Sequence, residues 1–321
     1  MEAIRIHAPG PYTTVQDLGR RHYFHLGVPV SGSLDDYAHR VANWLVGNPG
    51  QCAVLELSVA GGRMEMLCPA DIAVTGAMMN PRLNGIPIPT WSSIRVKAGD
   101  MLELGMAENG CRAYLAITGG IDVPEIMGSR STFVGSRLGG VQGRPLTTGD
   151  VLLRGDAPQL GRTRRLAWRP IYPDETTLRV VPGPHDAFFR ERLGILFESD
   201  FTVSANSNRM GYRLEGPELL RDPDAPQSIL SVPVTPGNIQ VPADGRPIIL
   251  LREQTVGGYT IVATVISPDL FRIAQAKPGD SIRFRRVELE EAHRIARDWA
   301  RFLRDVEEDL ARSPAGSAEG D

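Results

Sequence analysis

Four short segments hold most of the side chains that could act on a small polar molecule. Tyr12 to Arg20 offers hydroxyls, the Gln16 amide, the Asp17 carboxylate and the Arg20 guanidinium within nine residues. Gly27 to Asp35 brings Ser31, Ser33 and Asp35 to the entry of a helix, where unbonded backbone N–H groups favour an anion. Asn206 to Leu214 carries Asn208, Arg209 and Arg213 beside a glycine. Two guanidiniums with neighbouring amides suit a planar carboxylate or amide. Gln240 in the run Ile239 to Pro242 pairs in purpose with Arg252 to Tyr259, which supplies Glu253, Gln254, Gly257, Gly258 and Tyr259. Paired glycines let backbone approach a ligand closely, and Asp17 or Glu253 could orient water as a general base. Each segment also has a plainer reading: a local Asp17–Arg20 ion pair, Ser33 and Asp35 as helix caps, a tight β-turn at the glycines. A fifth segment, Gly128 to Phe133 with Gly139 to Arg144, could cradle phosphate through amides and arginine, although no helix signal follows its glycines.

Other chemistries lack their signatures. There is no Gly-x-x-x-x-Gly-Lys phosphate loop, no dinucleotide Gly-x-Gly-x-x-Gly after a strand and no Gly-x-Ser-x-Gly elbow. The six histidines show no metal-ligand spacing, His22 and His25 included. No Met-Lys-Met biotin acceptor occurs. The three cysteines, Cys52, Cys68 and Cys111, are odd in number and widely spaced, which predicts reduced and mostly buried thiols.

The elements that must position these groups read as mainly β. Gly and Pro, with 34 and 25 copies, punctuate short apolar runs such as Ala53 to Val59, Ile72 to Thr75, Ala113 to Ile117, Leu178 to Val181, Ile248 to Leu251 and Tyr259 to Ile266. A Gly-Asp phrase precedes three strand-like runs, at Gly99-Asp100, Gly149-Asp150 and Gly279-Asp280; the Asp can bond amides of the turn. Pro9-Gly10-Pro11 is echoed by Pro182-Gly183-Pro184. These echoes predict two similar β domains in tandem, 1–160 and 176–287, joined by an Arg- and Pro-rich linker over 157–177. Helices are expected at Asp36 to Val46, capped by Ser33, at Asp186 to Leu193, and from Glu288 through 312. The last repeats Leu289, Ala292, Ala296, Trp299, Leu303, Val306 and Leu310, a narrow seam able to pack on its own barrel or dock a partner helix. The tail 313–321 reads as disordered.

At 321 residues and 42% hydrophobic, the chain can bury two cores. Its net charge of −3 gives no reason to expect nucleic acid or an anionic membrane as partner. No run approaches the roughly 18–20 apolar residues of a membrane span, and the first residues lack the apolar core of a signal peptide. A cytoplasmic location is expected.

Seven phrases in order resemble the KipA / allophanate hydrolase subunit 2 family, which includes the C subunit of bacterial 5-oxoprolinase and the carboxyltransferase part of urea carboxylase. They are TTVQDLGR (from Thr13), GVPVSGSLD (Gly27), GGIDVP (Gly119), GSRSTF (Gly128), NRMGYRL (Asn208), GNIQVP (Gly237) and QTVGGY (Gln254). The resemblance implies two cyclophilin-like β-barrel domains. It implies a separate KipI-like partner, the B subunit, with a lactam-utilisation protein as a possible A subunit. ATP would be shared with the partner subunits, and biotin would be involved only on a separate carrier. Two positions depart from the family pattern. Val232 follows Ser231 where the family usually has Glu, and Val256 replaces a Thr. Either change would deprive a polar substrate group of a partner.

Three functional readings follow from the resemblance. The first is ATP-dependent opening of 5-oxoproline to glutamate, inactive without the partner subunits. Arg209 and Arg213 would take the substrate carboxylate, Gln240, Gln254 and Tyr259 the lactam, and Asp17 or Glu253 the water. The second is carboxyl transfer from carboxybiotin to urea or a related amide. The third is a non-enzymatic antagonist of a KipI-like kinase inhibitor. The enzymatic readings expect these loops to converge on one cleft.

Overall fold

The computed structural model describes residues 1–166, 168–226 and 229–312. The expected disordered tail lies outside them. The protein is mainly β, with four α-helices among the described residues: α1 (Asp36–Leu45), α2 (Leu193–Glu198), α3 (Leu270–Gln275) and α4 (Leu289–Arg312). It divides into two compact units. One comprises Met1–Arg20, Ser31–Ile171 and Phe302–Asp321, the other Arg21–Val30 and Tyr172–Arg301. This division differs from the simple tandem boundaries, because each unit includes a segment distant in sequence.

The first unit holds two antiparallel sheets. The larger runs in the order Ile121–Asp122, Val151–Arg154, Glu2–Ala8, Arg63–Met66, Met101–Glu103, Arg82–Leu83, Ile86–Pro87. The smaller runs Tyr12–Gln16, Val54–Ser58, Asn109–Ile117, Ala70–Met78, Ser93–Val96. Ile4, Ile6, Met64, Met66, Leu102 and Leu152 of the first sheet share one core with Val15, Leu55, Leu57, Ile72, Val74, Leu115 and Ile117 of the second. Each such side chain stabilises the unit by about 1.5–3 kcal/mol. The strand Val54–Ser58 is buried at every position. The smaller sheet's other face is covered too: Thr75 Oγ1 donates to the Ala38 carbonyl of α1 at 2.7 Å. The expected linker is docked here over its first half. Ser93 N–H donates to the Arg164 carbonyl and Leu166 N–H to that of Trp91, both within the first unit.

The second unit closes a barrel in the order Glu175–Pro182, Thr260–Val265, Asn238–Val241, Ile248–Leu250, Gly211–Glu215, Phe201–Val203, Ser281–Arg286. Only the closing pair, Glu175–Pro182 with Ser281–Arg286, is parallel among the barrel's pairings. A ribbon of Val232–Pro233 against Val256–Gly257 stands beside it.

The Gly-Asp phrases act as expected. Asp100, Asp150 and Asp280 each accept the N–H three residues back, at 2.7, 2.7 and 2.9 Å, and strands follow at Met101, Val151 and Ser281. The expected helix at Asp186 is corrected. Two 3-10 turns, Asp186–Phe188 and Arg190–Arg192, precede α2. Helix α3 carried no strong periodic signal and was not anticipated. The seam on α4 packs against its own chain: in the second unit Trp299 stacks on Phe271 at 5.2 Å, and Ala292 joins Ile266 and Val287. In the first unit the seam residues Val306 and Leu310 are buried, and Phe302, off the seam, stacks on Tyr37 at 6.0 Å. Leu289, the first seam residue, is exposed. All three cysteines are free, with Cys68 and Cys111 buried.

Candidate functional site

In the first unit the organising group is Asp17. Its Oδ1 accepts from Gly19 N–H (2.8 Å), Ser129 Oγ (2.6 Å) and Ser131 Oγ (2.5 Å), and its Oδ2 accepts from Arg130 N–H (2.6 Å). Burial pushes this carboxyl up, but the hydroxyl and amide donors outweigh it and hold the pKa below the ordinary value. A carboxylate occupied by four donors is a weak acceptor for a proton from water. Its geometry is that of a pin joining the Thr13–Arg20 segment to the Gly128–Phe133 segment. Arg20 does not pair locally with Asp17 in the contacts observed. Its Nη2 donates to the Ser131 carbonyl at 2.5 Å and its Nε to that of Ile126 at 3.4 Å.

Gln16 and Ser31 flank this pin. Ser33 N–H donates to the Asp17 carbonyl at 2.9 Å, and a Cβ on Gly32, which has φ +85°, would collide with Leu18 and Gly19. Gln16 Nε2 donates to Thr14 Oγ1 and the Thr132 carbonyl at 2.9 and 3.1 Å. Gln16 Oε1 and Ser31 Oγ are fully buried and have no hydrogen-bond partner among the described residues. Ser31 also sits at φ +53°, a left-handed conformation uncommon for serine.

The entry to α1 needs a correction. Asp35, not Ser33, is the N-cap, its carboxylate accepting Ala38 N–H at 2.8 Å. The chain's own acid therefore fills the place expected for a bound anion. Ser33 Oγ instead lies 2.7 Å from His39 Nδ1. Behind it runs a buried network that sequence reading missed. Tyr114 Oη accepts Asp35 N–H and donates to Glu56 Oε2, both at 2.9 Å, and Leu34 N–H donates to the same oxygen at 2.9 Å. Arg112 stands 3.9 Å from Glu56. Desolvation, then the nearby Glu56 and Asp35 charges, push Tyr114 well above its ordinary pKa, so it stays a neutral phenol. The available signal was Glu56 inside the otherwise apolar run Val54-Leu55-Glu56-Leu57.

In the second unit Arg209 and Glu253 meet as a buried pair, Nε to Oε1 at 2.5 Å. A buried guanidinium and carboxylate satisfy each other's charge, and each is costly to leave alone. Gln240 is buried on its strand and packs under Gly257, where an added Cβ would collide with its amide; its Nε2 lies 3.5 Å from the Tyr259 carbonyl. Gly258 is roomier, with nothing nearer its virtual Cβ than Ser231 Oγ at 3.5 Å. Tyr259 is 52% and Val256 58% exposed, and Gln254 is half-buried. The ribbon sets Val232 opposite Gly257 and Pro233 opposite Val256, so both departures from the family pattern lie on one two-stranded element. Val232 packs on Val234, Ile248, Leu250 and Ile261.

Asn208 and Arg213 do not join that cluster. Asn208 is exposed, its Oδ1 accepting Met210 N–H at 2.8 Å in a local turn. Arg213 faces out from its strand and lines a cleft of about 280 Å³ with Arg246, Glu215 and Asp244. Asp17, Gln16, Ser31 and Asp35 belong to the first unit, and Asn208, Arg209, Arg213, Gln240, Glu253, Gln254, Gly257, Gly258 and Tyr259 to the second.

A mainly β chain with a closed barrel and these ordered polar loops matches a known class. Residues 26–286 match the family described as carboxyltransferase domain, subdomain A and B, and the chain belongs to it. It is 38% identical over 306 residues to the C subunit of 5-oxoprolinase from Escherichia coli (strain K12), covering 94% of this chain and 96% of that protein. It is 37% identical over 321 residues to the urea amidolyase of Lachancea kluyveri, covering 91% of this chain but 17% of that one. The crystal structure of K. lactis urea amidolyase superposes with a TM-score of 0.86 at 33% identity, over 95% of this chain and 20% of that chain.

Proposed function

We propose that the protein is the C subunit of a 5-oxoprolinase that opens 5-oxoproline to glutamate with ATP, together with a KipI-like partner and a lactam-utilisation protein. The observation that carries this reading is similarity over 94% of this chain and 96% of its relative, the C subunit of a 5-oxoprolinase. The urea enzymes resemble this chain only through a small part of their length. An unstrained lactam is a poor electrophile, and transfer of the ATP γ-phosphoryl group to its oxygen, releasing ADP, activates the carbonyl carbon. One water would add there and the ring nitrogen leave as the amine, and a second water would cleave the resulting acyl phosphate to glutamate and phosphate. The complex must then hold the lactam, neutralise phosphate charge and admit two waters in turn. Gln16 Oε1 and Ser31 Oγ support the amide part of this reading. A buried acceptor and a buried hydroxyl are the complements of a lactam N–H and C=O, and both lack partners among the described residues. Asp17 acts in this scheme as a positioning residue, and Glu253 as the partner that holds Arg209.

Co-expression with the partner subunits should give glutamate from 5-oxoproline only when ATP is present, and the chain alone should give none. Absence of glutamate from the assembled, ATP-supplied complex would overturn the reading. Carboxyl transfer to urea is the second reading, favoured by the family described for residues 26–286 and by the urea amidolyase relatives. It requires a biotinylated carrier, so urea-dependent turnover that avidin abolishes would put it first.

A further inference from the structure

The loop Arg137–Gly143 in the first unit is unusual in its backbone. Gly139, Gly140, Gln142 and Gly143 have φ values of +69°, +53°, +55° and +65°, and Arg137 has +51°. Successive peptide groups in such a turn bring N–H groups together on one concave side, which favours an anion. Some of these N–H groups are used inside the loop: Gly140 donates to the Arg130 carbonyl at 3.0 Å and Gly143 to that of Gly139 at 2.7 Å. The N–H groups of Gly139, Val141 and Gln142 have no acceptor among the described residues. Gly139 is itself buried, and a donor withdrawn from water without an acceptor is unfavourable. The Arg137 guanidinium likewise has no ion partner among the described residues.

The loop is held in this shape by its surroundings. A Cβ on Gly139 would collide with the Ser131 carbonyl and the Arg20 guanidinium, and one on Gly140 with Thr132 Oγ1. Those are residues of the segments that Asp17 pins. The loop also forms one wall of a cleft of about 500 Å³. The cleft is also lined by apolar side chains: Ile126, Val151 and Leu153 are 37%, 37% and 42% exposed. The acid on the rim, Asp122, is 3.6 Å from Arg130, which offsets its charge.

We infer that this cleft is a binding site for a phosphorylated small molecule, with phosphate on the Arg137–Gly143 loop and an apolar or aromatic body against Ile126, Val151 and Leu153. The site stands on the loop's geometry. The choice of ATP as its ligand rests on the proposed activity.

The test is calorimetric titration of the full chain with ATP, pyrophosphate and inorganic phosphate, using the wild type, Arg137→Glu, Arg137→Asn and Leu153→Asp. Asn tolerates the left-handed conformation at 137, so it removes the charge without straining the turn. ATP should bind saturably, and both Arg137 variants should weaken it at least tenfold while the unliganded melting temperature stays unchanged. Leu153→Asp should weaken ATP and leave pyrophosphate binding as in wild type. No saturable binding of any probe, or ATP affinity indifferent to both Arg137 variants, would overturn the assignment. ATP affinity indifferent to Leu153→Asp would overturn the apolar wall. The two readings fail separately. A complex active on 5-oxoproline whose KM for ATP ignores Arg137→Glu removes this site and leaves the 5-oxoprolinase reading. Arg137-dependent ATP binding in a complex inert toward 5-oxoproline does the reverse.

Discussion

The two polar clusters satisfy their carboxylates, half-buried Asp17 and buried Glu253, in opposite ways. Asp17 is surrounded by neutral donors, two serine hydroxyls and two backbone N–H groups. Glu253 is met by a guanidinium, Arg209. Neutral donors from one loop make a carboxylate into a fastener for that loop, and removing its charge weakens several hydrogen bonds at once. A buried ion pair concentrates the balance of charge in one contact, and removing the cation leaves the acid buried without it. The first cluster should therefore respond to pH, and the second to which partner is cut.

The largest effect should come from the second cluster. Arg209→Ala should lower the unfolding free energy by about 3–5 kcal/mol, read by urea denaturation, because it leaves Glu253 buried without its cation. The double variant Arg209→Met with Glu253→Leu should recover most of that loss. Single variants as stable as wild type would erase the contrast between the clusters.

Asp17→Asn should come next, at about 2 kcal/mol near neutral pH, the scale of hydrogen bonds to a charged acceptor. The folded pKa of Asp17 is lowered. Its contribution is thus fully present above the unfolded value of about 3.9 and is lost as pH falls through the lower folded value. Melting curves of wild type and Asp17→Asn should converge on acidification below about pH 4. A gap that widens there would contradict a carboxylate stabilised by its donors.

Smaller effects sharpen the reading of the paired glycines. Gly257→Ala should cost about 1 kcal/mol, because its new methyl displaces the end of the Gln240 side chain. Gly258→Ala should cost less, since its methyl meets only ordinary contacts. Val256→Thr, at a position 58% exposed, should change stability by less than about 0.5 kcal/mol. Any change it makes in turnover of the assembled complex would then report on substrate or partner rather than on folding.

Much of the architecture was legible locally. The three Gly-Asp turns each place an Asp where it accepts an amide three residues back, a relation that spans four residues and needs no tertiary partner. The runs at Val54, Asn109 and Thr260 form strands close to where β-branched and apolar residues cluster. Helix α1 ends within a residue of its expected limit, yet its cap was misread, because Ser33 and Asp35 are both capping types. Choosing between them depended on His39, which draws the Ser33 hydroxyl away.

The candidate site was legible as residue types and illegible as partnerships. Asp17 and Glu253 are each an acid beside polar neighbours in sequence. What separates them is that Asp17 meets residues more than 100 positions away, at 129, 130 and 131, while Glu253 meets Arg209 across 44. Arg209 and Arg213 look interchangeable four residues apart, but one is buried and the other faces outward from its strand.

Composition, turn chemistry and phrase order thus determined a mainly β chain and its family, since these depend on short-range backbone preference and on residue identity. Tertiary structure alone decided which charges are bound by neutral donors, which are paired, and which amides of the glycine loop lack an acceptor among the described residues. Those outcomes depend on desolvation and on hydrogen-bond partners that the chain brings together only when it folds.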